Sequence, residues 1–583
     1  MRRQVKRAAL CWLGAALCAA ASAASGEQPG VTRQIPGTEP PLEQAEPPPE
    51  QAEPPPEPNV PHDFLPVEDR WRIMESLGRG EHWYDPYNFN WLKADRPVFG
   101  EHWFVNARLV SDSLFEPRRL PTPVGSQATR RRGSLDVFGE GEQYLAAETL
   151  IGSISLIEGN TVFRPPDWEI RVTGAWNGNH LRAEEVGLVN IDPERGIRRT
   201  DDHFGLQEAF VDRHIANVSD RYDFWSVRAG IQTFQSDFRG FLFADSNPGI
   251  RFFGNYLNNR LQWNLAAFRR VEKDTNSGLN TFVNLRPDDV YVANLYFQDF
   301  PVLGFTLQGT VVHNRNDEGG AAQHYDSNGF LQRPAPVGSG RPHDYQVTYL
   351  GLNGDGHLGR LNLTFAAYLA LGEDERNPIP DRKVDITSGM VAAEASVDFD
   401  WLRTKAFALW ASGDEDPFDG DATGWDPIFE NPNFAGAETG FWQRQAIPFI
   451  AGGGVILSGR NALIPSLRTS KEEGQSNFVN PGLWLIGVGG DFDVLPELRL
   501  VTNASWLAFD DTSVLQVLRN QGPIDREIGW DVSAALVYRP LFTENVVLRL
   551  SGAVLFPGDG LHDLFDDGPF PLYSVLANVV LSY

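Results

Sequence analysis

The sequence predicts an all-β protein: a transmembrane, antiparallel, up-and-down β-barrel of about 18 strands (range about 16–20) behind a disordered, proline-rich N-terminal segment. Three observations support this fold class. Apolar residues alternate with polar ones from about Trp103 onward, the links between these segments are short and long in turn, and the chain ends in Tyr583. All three are typical of membrane barrels, whose strands point every second side chain toward lipid.

Residues 1–23 have the pattern of a secretory signal peptide. Basic residues at the start precede an apolar stretch over 8–21, and Ala21 to Ala23 form a small-residue cleavage site. Both cysteines, Cys11 and Cys18, lie inside this segment, so the mature chain is expected to contain no disulfide and no cysteine-bound metal. Lipidation of Cys18 is an alternative, but Leu17 is a poor residue directly before a lipidated cysteine.

Two segments separate the signal peptide from the predicted barrel. Residues 24–62 are rich in Pro and Glu, with EQAEPPP at 43–49 and again at 50–56. This composition predicts a disordered spacer, or an arm that touches the cell wall. Residues 63–98 are mixed and predict a periplasmic lead-in, and the barrel is assigned to 99–583.

The strands follow from the period of two. In 168–177, for example, Trp168, Ile170 and Val172 alternate with Glu169 and Arg171. The eighteen predicted strands lie near 102–111, 145–158, 167–178, 204–217, 221–232, 249–257, 260–271, 289–298, 304–314, 343–352, 360–371, 387–398, 402–412, 481–491, 497–509, 527–538, 545–556 and 572–583.

The links separate a membrane barrel from a soluble β-sandwich, whose strands alternate in the same way. A long link follows every odd strand and a short one every even strand, which a sandwich has no reason to do. Bacterial barrels have an even strand count, tight periplasmic turns and long outer loops. The layout therefore predicts a bacterial outer-membrane protein with both barrel ends in the periplasm, in contact with membrane lipid and lipopolysaccharide.

The last predicted strand adds separate support. Tyr573, Val575, Ala577, Val579, Leu581 and Tyr583 share one face. The segment resembles the C-terminal strand of outer-membrane proteins, which ends in an aromatic residue. That resemblance implies the barrel-assembly machinery as a partner.

Composition limits the function. The formal net charge of −27 argues against nucleic acid as a partner. Aromatic residues make up 11% of the chain, which fits the aromatic girdles of a barrel. Neither HExxH nor GxSxG occurs, so no enzyme is predicted.

Segments 206–212, 227–232 and 249–251 resemble the early strands of the alginate-export family. They carry LQEAFVD, VRAGIQ and GIR, similar to that family's acidic-aromatic-Val-Asp strand and its Arg-x-Gly-x-Gln strand. The resemblance implies an eighteen-stranded barrel that passes a polysaccharide or small solutes by diffusion. The acidic composition departs from the family and puts a polyanionic cargo in doubt unless the lumen itself is basic.

Charged residues on the polar faces of the strands are the candidate pore-lining residues. They are Arg108, Glu169, Arg171, Glu208, Asp212, Arg228, Arg251, Arg499, Asp531 and Arg549. Rings of Arg select anions in pores. The alternative for each arginine is that it pairs with a lumen carboxylate and braces the wall.

Three links carry further hypotheses. The first long loop holds Arg118, Arg119 and Arg130 to Arg132, which either bind lipopolysaccharide or simply face solvent. The link 413–480 is too long for a plain connection and either folds into the lumen or covers it from outside. The same link carries Asp414, Asp416, Asp419 and Asp421, a cluster that predicts a calcium site although EF-hand spacing is missing. Calcium is the only cofactor considered.

The leading functional hypothesis is an outer-membrane channel for passive diffusion or export of a small solute or polysaccharide, with a lumen that selects anions. The alternatives are an outer-membrane lipase or esterase and a structural barrel that tethers the envelope.

Overall fold

The computed structural model describes residues 77–78, 82–87, 89–122, 139–159, 165–221, 223–335, 338–445, 447–449, 462–541, 543–565 and 570–583. The predicted signal peptide (1–23), the spacer (24–62) and residues 63–76 of the lead-in lie outside this part of the chain. So do Arg130, Arg131 and Arg132. The predictions made for these residues therefore remain predictions.

Eighteen long antiparallel strands form the barrel, which confirms the predicted fold class. In chain order they are β1 (Trp103–Arg119), β2 (Glu142–Glu158), β3 (Trp168–Ala183), β4 (Arg198–Asn217), β5 (Phe224–Gln235), β6 (Ala244–Tyr256), β7 (Leu261–Lys273), β8 (Asn280–Gln298), β9 (Phe305–Asp317), β10 (Asp344–Leu358), β11 (Leu361–Asn377), β12 (Arg382–Phe399), β13 (Leu402–Ala411), β14 (Leu483–Leu495), β15 (Leu498–Ala508), β16 (Glu527–Tyr538), β17 (Val546–Pro557) and β18 (Leu572–Ser582). Each strand pairs with the next, and β18 pairs with β1, for example Val110 with Ser582, so the sheet closes on itself.

The apolar face of the strands points outward. Leu109, Ile154, Val172, Ile250 and Leu550 are all more than half exposed, although each lies in the middle of a paired strand. Their neighbours on the opposite face are polar or covered. A soluble sandwich would bury these apolar side chains, whereas a membrane barrel presents them to lipid.

The closing seam between β18 and β1 contains an additional short strand. Lys93–Phe99 pairs with the start of β1, where Lys93 lies opposite Asn106 and Phe99 opposite Trp103. Directly above it, the backbone of Tyr583 exchanges two hydrogen bonds with Leu109. The start of β1 therefore has a hydrogen-bonded partner strand, although β18 ends too early to pair with it.

The long link between β13 and β14, residues 412–482, is called the inward loop here. Its described residues contact inward-facing side chains on many strands: Asp426 O accepts from Tyr349 on β10, Gln445 bonds Glu116 on β1, and Gly436 lies against Asn503 on β15. The loop therefore crosses the barrel interior, which decides between the two possibilities left open by the sequence.

The inward loop is joined by the link between β5 and β6, residues 236–243. Phe429 N donates to Leu242 O, Ala244 N to Phe429 O, and Asn431 N to Gly240 O. Both links therefore turn into the barrel and hold each other by backbone hydrogen bonds.

The remaining elements are short. They are α1 (Phe441–Arg444) in the inward loop, α2 (Ser513–Leu518), α3 (Asp559–Leu564), a 3-10 turn at Pro193–Arg195, and strand pieces at His324–Tyr325, Leu331–Arg333 and Asp421–Ala422. None of the helices in the described part of the chain is long and apolar enough to span a membrane.

Candidate functional site

Four predicted pore-lining residues form one row across the inner wall. Glu169 on β3 lies opposite Asp212 on β4, Asp212 opposite Arg228 on β5, and Arg228 opposite Arg251 on β6. We call these four residues the charged row. They face the lumen because their strand neighbours, such as Ile170, are exposed on the outer face.

Carboxylates neutralise one side of the charged row. Arg228 Nη2 lies 2.8 Å from Asp212 Oδ2 and 3.9 Å from Glu169 Oε2. Arg171, two positions after Glu169, lies 2.6 Å from Glu169 and 3.9 Å from Glu208. For Arg171 and Arg228 the wall-bracing alternative is therefore what the structure shows.

Arg251 differs from its neighbours. Its Nε donates to Asn264 Oδ1 at 2.7 Å, and it forms no ion pair with any residue in the described part of the chain. Its two Nη groups therefore remain available for a solute. Its cross-strand neighbour is a second guanidinium, Arg228, and like charges directly opposite each other on a sheet repel. A bound anion would relieve that repulsion.

Phenyl rings separate the lumen arginines. Phe210 lies 5.4 Å from the Arg171 guanidinium carbon and 4.2 Å from that of Arg228, and Phe253 lies 4.4 Å from that of Arg251. Such stacking holds a flat guanidinium in place and leaves its edge free for hydrogen bonds.

Arg499 and Arg549 belong to a second group, at the end of the barrel that carries the short turns. A cavity of 530 Å³ there is bounded by residues of the inward loop, and we call it the basic cavity. Six cationic side chains and four carboxylates line it, which leaves an excess of two positive charges. The six cations are Arg239, Arg403, Lys405, Arg499, Arg539 and Arg549.

Most of these cations have carboxylate partners. Lys405 lies 2.8 Å from Asp491, Arg499 2.6 Å from Asp493, and Arg549 pairs with Glu438 of the inward loop. Arg403 and Lys405 were not predicted as pore-lining residues, although alternation on β13 places both on its inner face. Arg239 reaches Glu394 at 3.2 Å only because the link 236–243 turns inward, and strand periodicity gives no signal for that.

Two further candidates have different positions. Arg108 faces the lumen from the start of β1, is exposed, and forms no ion pair with the described residues. Asp531 does not face open lumen, which corrects its assignment as a pore-lining residue. Its buried carboxylate accepts hydrogen bonds from Phe441 N at 3.2 Å and Trp442 N at 2.8 Å, so it anchors the inward loop.

The carboxylates of the acidic cluster accept hydrogen bonds from nearby backbone groups. Asp414 accepts hydrogen bonds from the backbone of Asp416 and Thr423, Asp416 accepts one from Phe418, and Asp419 accepts one from Asp421. These carboxylates therefore hold local turns, and calcium binding stays a prediction. Among the described residues, no group of three or more His, Asp and Glu side chains is arranged to hold a metal ion.

No protein-family model and no curated protein sequence matches the chain. Three solved structures from Pseudomonas aeruginosa are similar to it. OccK5 (OpdH) has 11% identity over 82% of this chain and 97% of that one, with a TM-score of 0.42. OccK2 (OpdF) in complex with glucuronate has 12% identity over 82% and 97%, with a TM-score of 0.42. OpdK with vanillate has 11% identity over 82% and 98%, with a TM-score of 0.42. The resemblance to the alginate-export family stays a prediction based on three strand segments.

Proposed function

We propose that this chain is an outer-membrane channel for passive diffusion of small anionic solutes, and that Arg251 selects them. The observation that carries the proposal is Arg251, a lumen guanidinium that has one hydrogen bond to Asn264 and no carboxylate partner among the described residues. A guanidinium is charged at every physiological pH and presents paired donors that match a carboxylate or phosphate.

The electrostatics of the rest of the lumen support this proposal. Six cationic side chains line the basic cavity, although the whole chain has a formal net charge of −27 and carboxylates outside the lining pair with Arg403, Arg499 and Arg539. An anion that enters the barrel therefore meets cationic side chains both at the charged row and at the short-turn end. The inward loop occupies part of the interior, which favours a small solute over a polysaccharide.

The orientation is part of the same proposal. The short turns, such as 257–260 and 400–401, lie at the barrel end that also holds the start of β1 and the end of β18. We place this end in the periplasm, because long loops face outward in bacterial barrels. Recognition of the Tyr583-terminated strand by the barrel-assembly machinery remains a prediction.

Ion selectivity in a planar bilayer tests the proposal. The reversal potential in a KCl gradient should show preference for chloride, and Arg251→Ala should reduce that preference by about fivefold, since an ion near one unit charge in water gains roughly 1 kcal/mol. The preference should also fall between about 0.1 M and 1 M salt, because the Debye length shrinks from about 10 Å to about 3 Å.

The matched control is Arg269→Ala on β7. Arg269 is an arginine on the outer face that pairs with Asp289 at 3.3 Å, so its loss removes the same charge from the protein without touching the lumen. The chloride preference of Arg269→Ala should equal that of the unmodified protein. If Arg251→Ala and Arg269→Ala both left the chloride preference unchanged, Arg251 would not be the selecting group.

A further inference from the structure

A groove lies on the outer surface of the barrel at the closing seam, and we call it the seam groove. Its volume is 620 Å³, and apolar atoms form nearly all of its lining. Tyr84 and Tyr87 of the lead-in form one side, and Leu109, Leu541, Val546 and Leu581 form the other. Neither the charged row nor the basic cavity shares a residue with it.

Hydrogen bonds join the two sides of the seam groove. The buried Asn90 Nδ2 lies 3.0 Å from Trp83 O, 3.0 Å from Asp85 O and 2.8 Å from Tyr583 Oη, so its two N–H groups are shared among these three acceptors. The Tyr583 hydroxyl in turn donates to Trp83 O. These contacts fix the turn 83–87 to the last residue of the chain, so the groove is a built feature of the seam.

The groove is continuous with the surface that faces lipid. Leu109 on β1, Val546 on β17 and Leu581 on β18 all belong to the outward faces of adjacent strands, and Leu109 and Leu581 are 55% and 46% exposed. Tyr84 and Tyr87 are 64% and 57% exposed at its rim. Tyrosine is enriched where a membrane meets water, so the groove opens from the hydrocarbon region toward the interface.

We propose that the seam groove binds one acyl chain of a phospholipid. An acyl chain matches the apolar lining, and hydrocarbon already reaches the groove through the outer belt. The choice of a phospholipid rests on the proposed function, which places the short-turn end in the periplasm. The inner leaflet of an outer membrane consists of phospholipid, whereas lipopolysaccharide forms the outer leaflet.

Photolabelling tests this assignment. The full mature chain is reconstituted into vesicles of phosphatidylethanolamine and phosphatidylglycerol that contain phosphatidylethanolamine with a diazirine on one acyl chain. After irradiation, mass spectrometry should find peptides covering 84–87 and 541–546 labelled severalfold more than peptides covering 494–498, which form another short turn at the same end.

Two matched variants sharpen the test. Leu541→Asp places a charge in the groove and should remove most of the labelling there. Leu495→Asp places the same charge on a leucine of similar exposure, 55% against 61%, at the turn between β14 and β15, and should leave groove labelling unchanged. Heat-modifiable migration in gels verifies that both variants fold. If Leu541→Asp does not fold, Tyr87→Asp takes its place, because Tyr87 lies in the lead-in outside the barrel strands.

Several outcomes would overturn the proposal. Equal labelling of all short turns would show that the groove holds no particular chain. Labelling that appears only after deletion of 24–76 would show that the protein's own N-terminal segment fills it, and displacement of the label by lipopolysaccharide but not by phospholipid would reverse the choice of lipid. The vesicles carry the probe in both leaflets, so the labelling reports on the groove even if the channel proves unselective in the bilayer measurement.

Discussion

The inner wall of the barrel has two regions with opposite chemistry. In the open region, at the charged row on β3 to β6, inward side chains are charged and their ion pairs keep partial access to water: Arg171 is 34% exposed and Arg228 20%. In the packed region, beneath the inward loop, β9 to β17 also bury apolar side chains on their inward faces. Examples are Val312, Tyr349, Met390, Leu409, Leu485, Leu507, Ile528 and Leu555, all of them 2% exposed or less.

All of these residues point into the barrel. The difference shows that whether water or a folded loop contacts an inward residue determines whether its side chain is polar or apolar. A wall that faces water needs polar side chains, whereas a wall that carries a folded loop can bury apolar ones. Trp425 of the inward loop illustrates this, because it is fully buried between Tyr349 and Tyr368, with ring centroids 5.6 Å and 6.0 Å away.

The exposure of ion pairs also differs: those of the charged row keep partial access to water, whereas a cluster that contacts the inward loop is buried. Glu318, which follows β9, accepts hydrogen bonds from Arg286 at 3.1 Å and 2.9 Å, and Arg333 lies 3.3 Å away. All three side chains are nearly inaccessible to water. Arg286 also donates to the carbonyls of Glu472 and Gly474, so this cluster holds the inward loop against the wall.

The largest predicted effect is that of Glu318→Ala. Removal of this carboxylate takes away the ion-pair partner of the buried Arg286, while Arg333 keeps Glu272, and breaking a buried pair in this way costs about 3–5 kcal/mol. We expect a lower unfolding temperature, faster hydrogen exchange over 470–476 and a higher single-channel conductance as the inward loop loosens.

The adjacent residue supplies the control. Asp317 pairs with Arg315 at 3.0 Å, but the two side chains are 49% and 58% exposed, so Asp317→Ala should cost at most about 1 kcal/mol. If the two alanine variants had equal stability and conductance, the contrast between buried and exposed pairs in this protein would be wrong.

A smaller, pH-dependent effect is predicted at Asp414, which is buried at the start of the inward loop. Burial raises its pKa from the usual 3.8 to about 7, and the nearby carboxylates of Asp419 and Asp416 act in the same direction, while hydrogen bonds from two backbone N–H groups oppose the shift. Since the folded pKa lies above the unfolded one, this group's contribution to stability is complete below the unfolded value and is lost as the pH rises through 7.

Hydrogen exchange, corrected for its intrinsic pH dependence, measures this effect. Residues 412–424 should be better protected at pH 5 than at pH 8, and Asp414→Asn should remove most of the difference. Asp421→Asn is the control, because Asp421 is exposed in the same segment and is not one of the carboxylates that raise the pKa of Asp414. A pH difference that persists in Asp414→Asn would show that another group causes it.

Much of the open region could be predicted from the sequence, because alternation with a period of two assigns each residue to a face. Glu169, Asp212, Arg228 and Arg251 lie on the inward faces to which alternation assigns them, and their role in lining a pore stays a prediction. Their meeting in one row could not be predicted, since a row depends on the register of three strand pairs, which the sequence leaves open.

The packed region was harder to predict for a different reason. On β14, Leu483 and Leu485 face inward while Trp484 and Ile486 face outward, so both faces are apolar and the period of two is obscured. Such a strand indicates that something covers the inner face, but it does not show which loop. The assignment of Asp531 to open lumen failed because the sequence does not reveal that α1 lies against it.

Strands were predicted too short where polar residues continue the backbone hydrogen-bond pairing. A long link was expected over 372–386, but β11 extends to Asn377 and β12 begins at Arg382. Beyond the lipid belt both faces of a strand can be polar, as at Glu373 paired with Asp385, so alternation stops while backbone pairing continues.

The smallest predicted effect concerns an exposed pair beside the basic cavity. Arg403 Nη2 lies 3.0 Å from Asp398 Oδ2, and the two side chains are 50% and 49% exposed. Asp398→Asn should lower the free energy of unfolding by less than about 1 kcal/mol, because an exposed ion pair gains little over its hydrated groups. It should also raise the chloride preference slightly, since Arg403 lines the cavity and loses its counter-charge.

Asp381→Asn provides the comparison. Asp381 lies in the link between β11 and β12, at the opposite end of the barrel, and pairs at 2.7 Å with Arg376 near the end of β11. Both side chains are 47% exposed. Both variants should therefore lose similarly little stability, whereas only Asp398→Asn should shift the reversal potential. Equal reversal potentials would mean that the basic cavity does not lie on the path of the ions, and that the charged row alone determines selectivity.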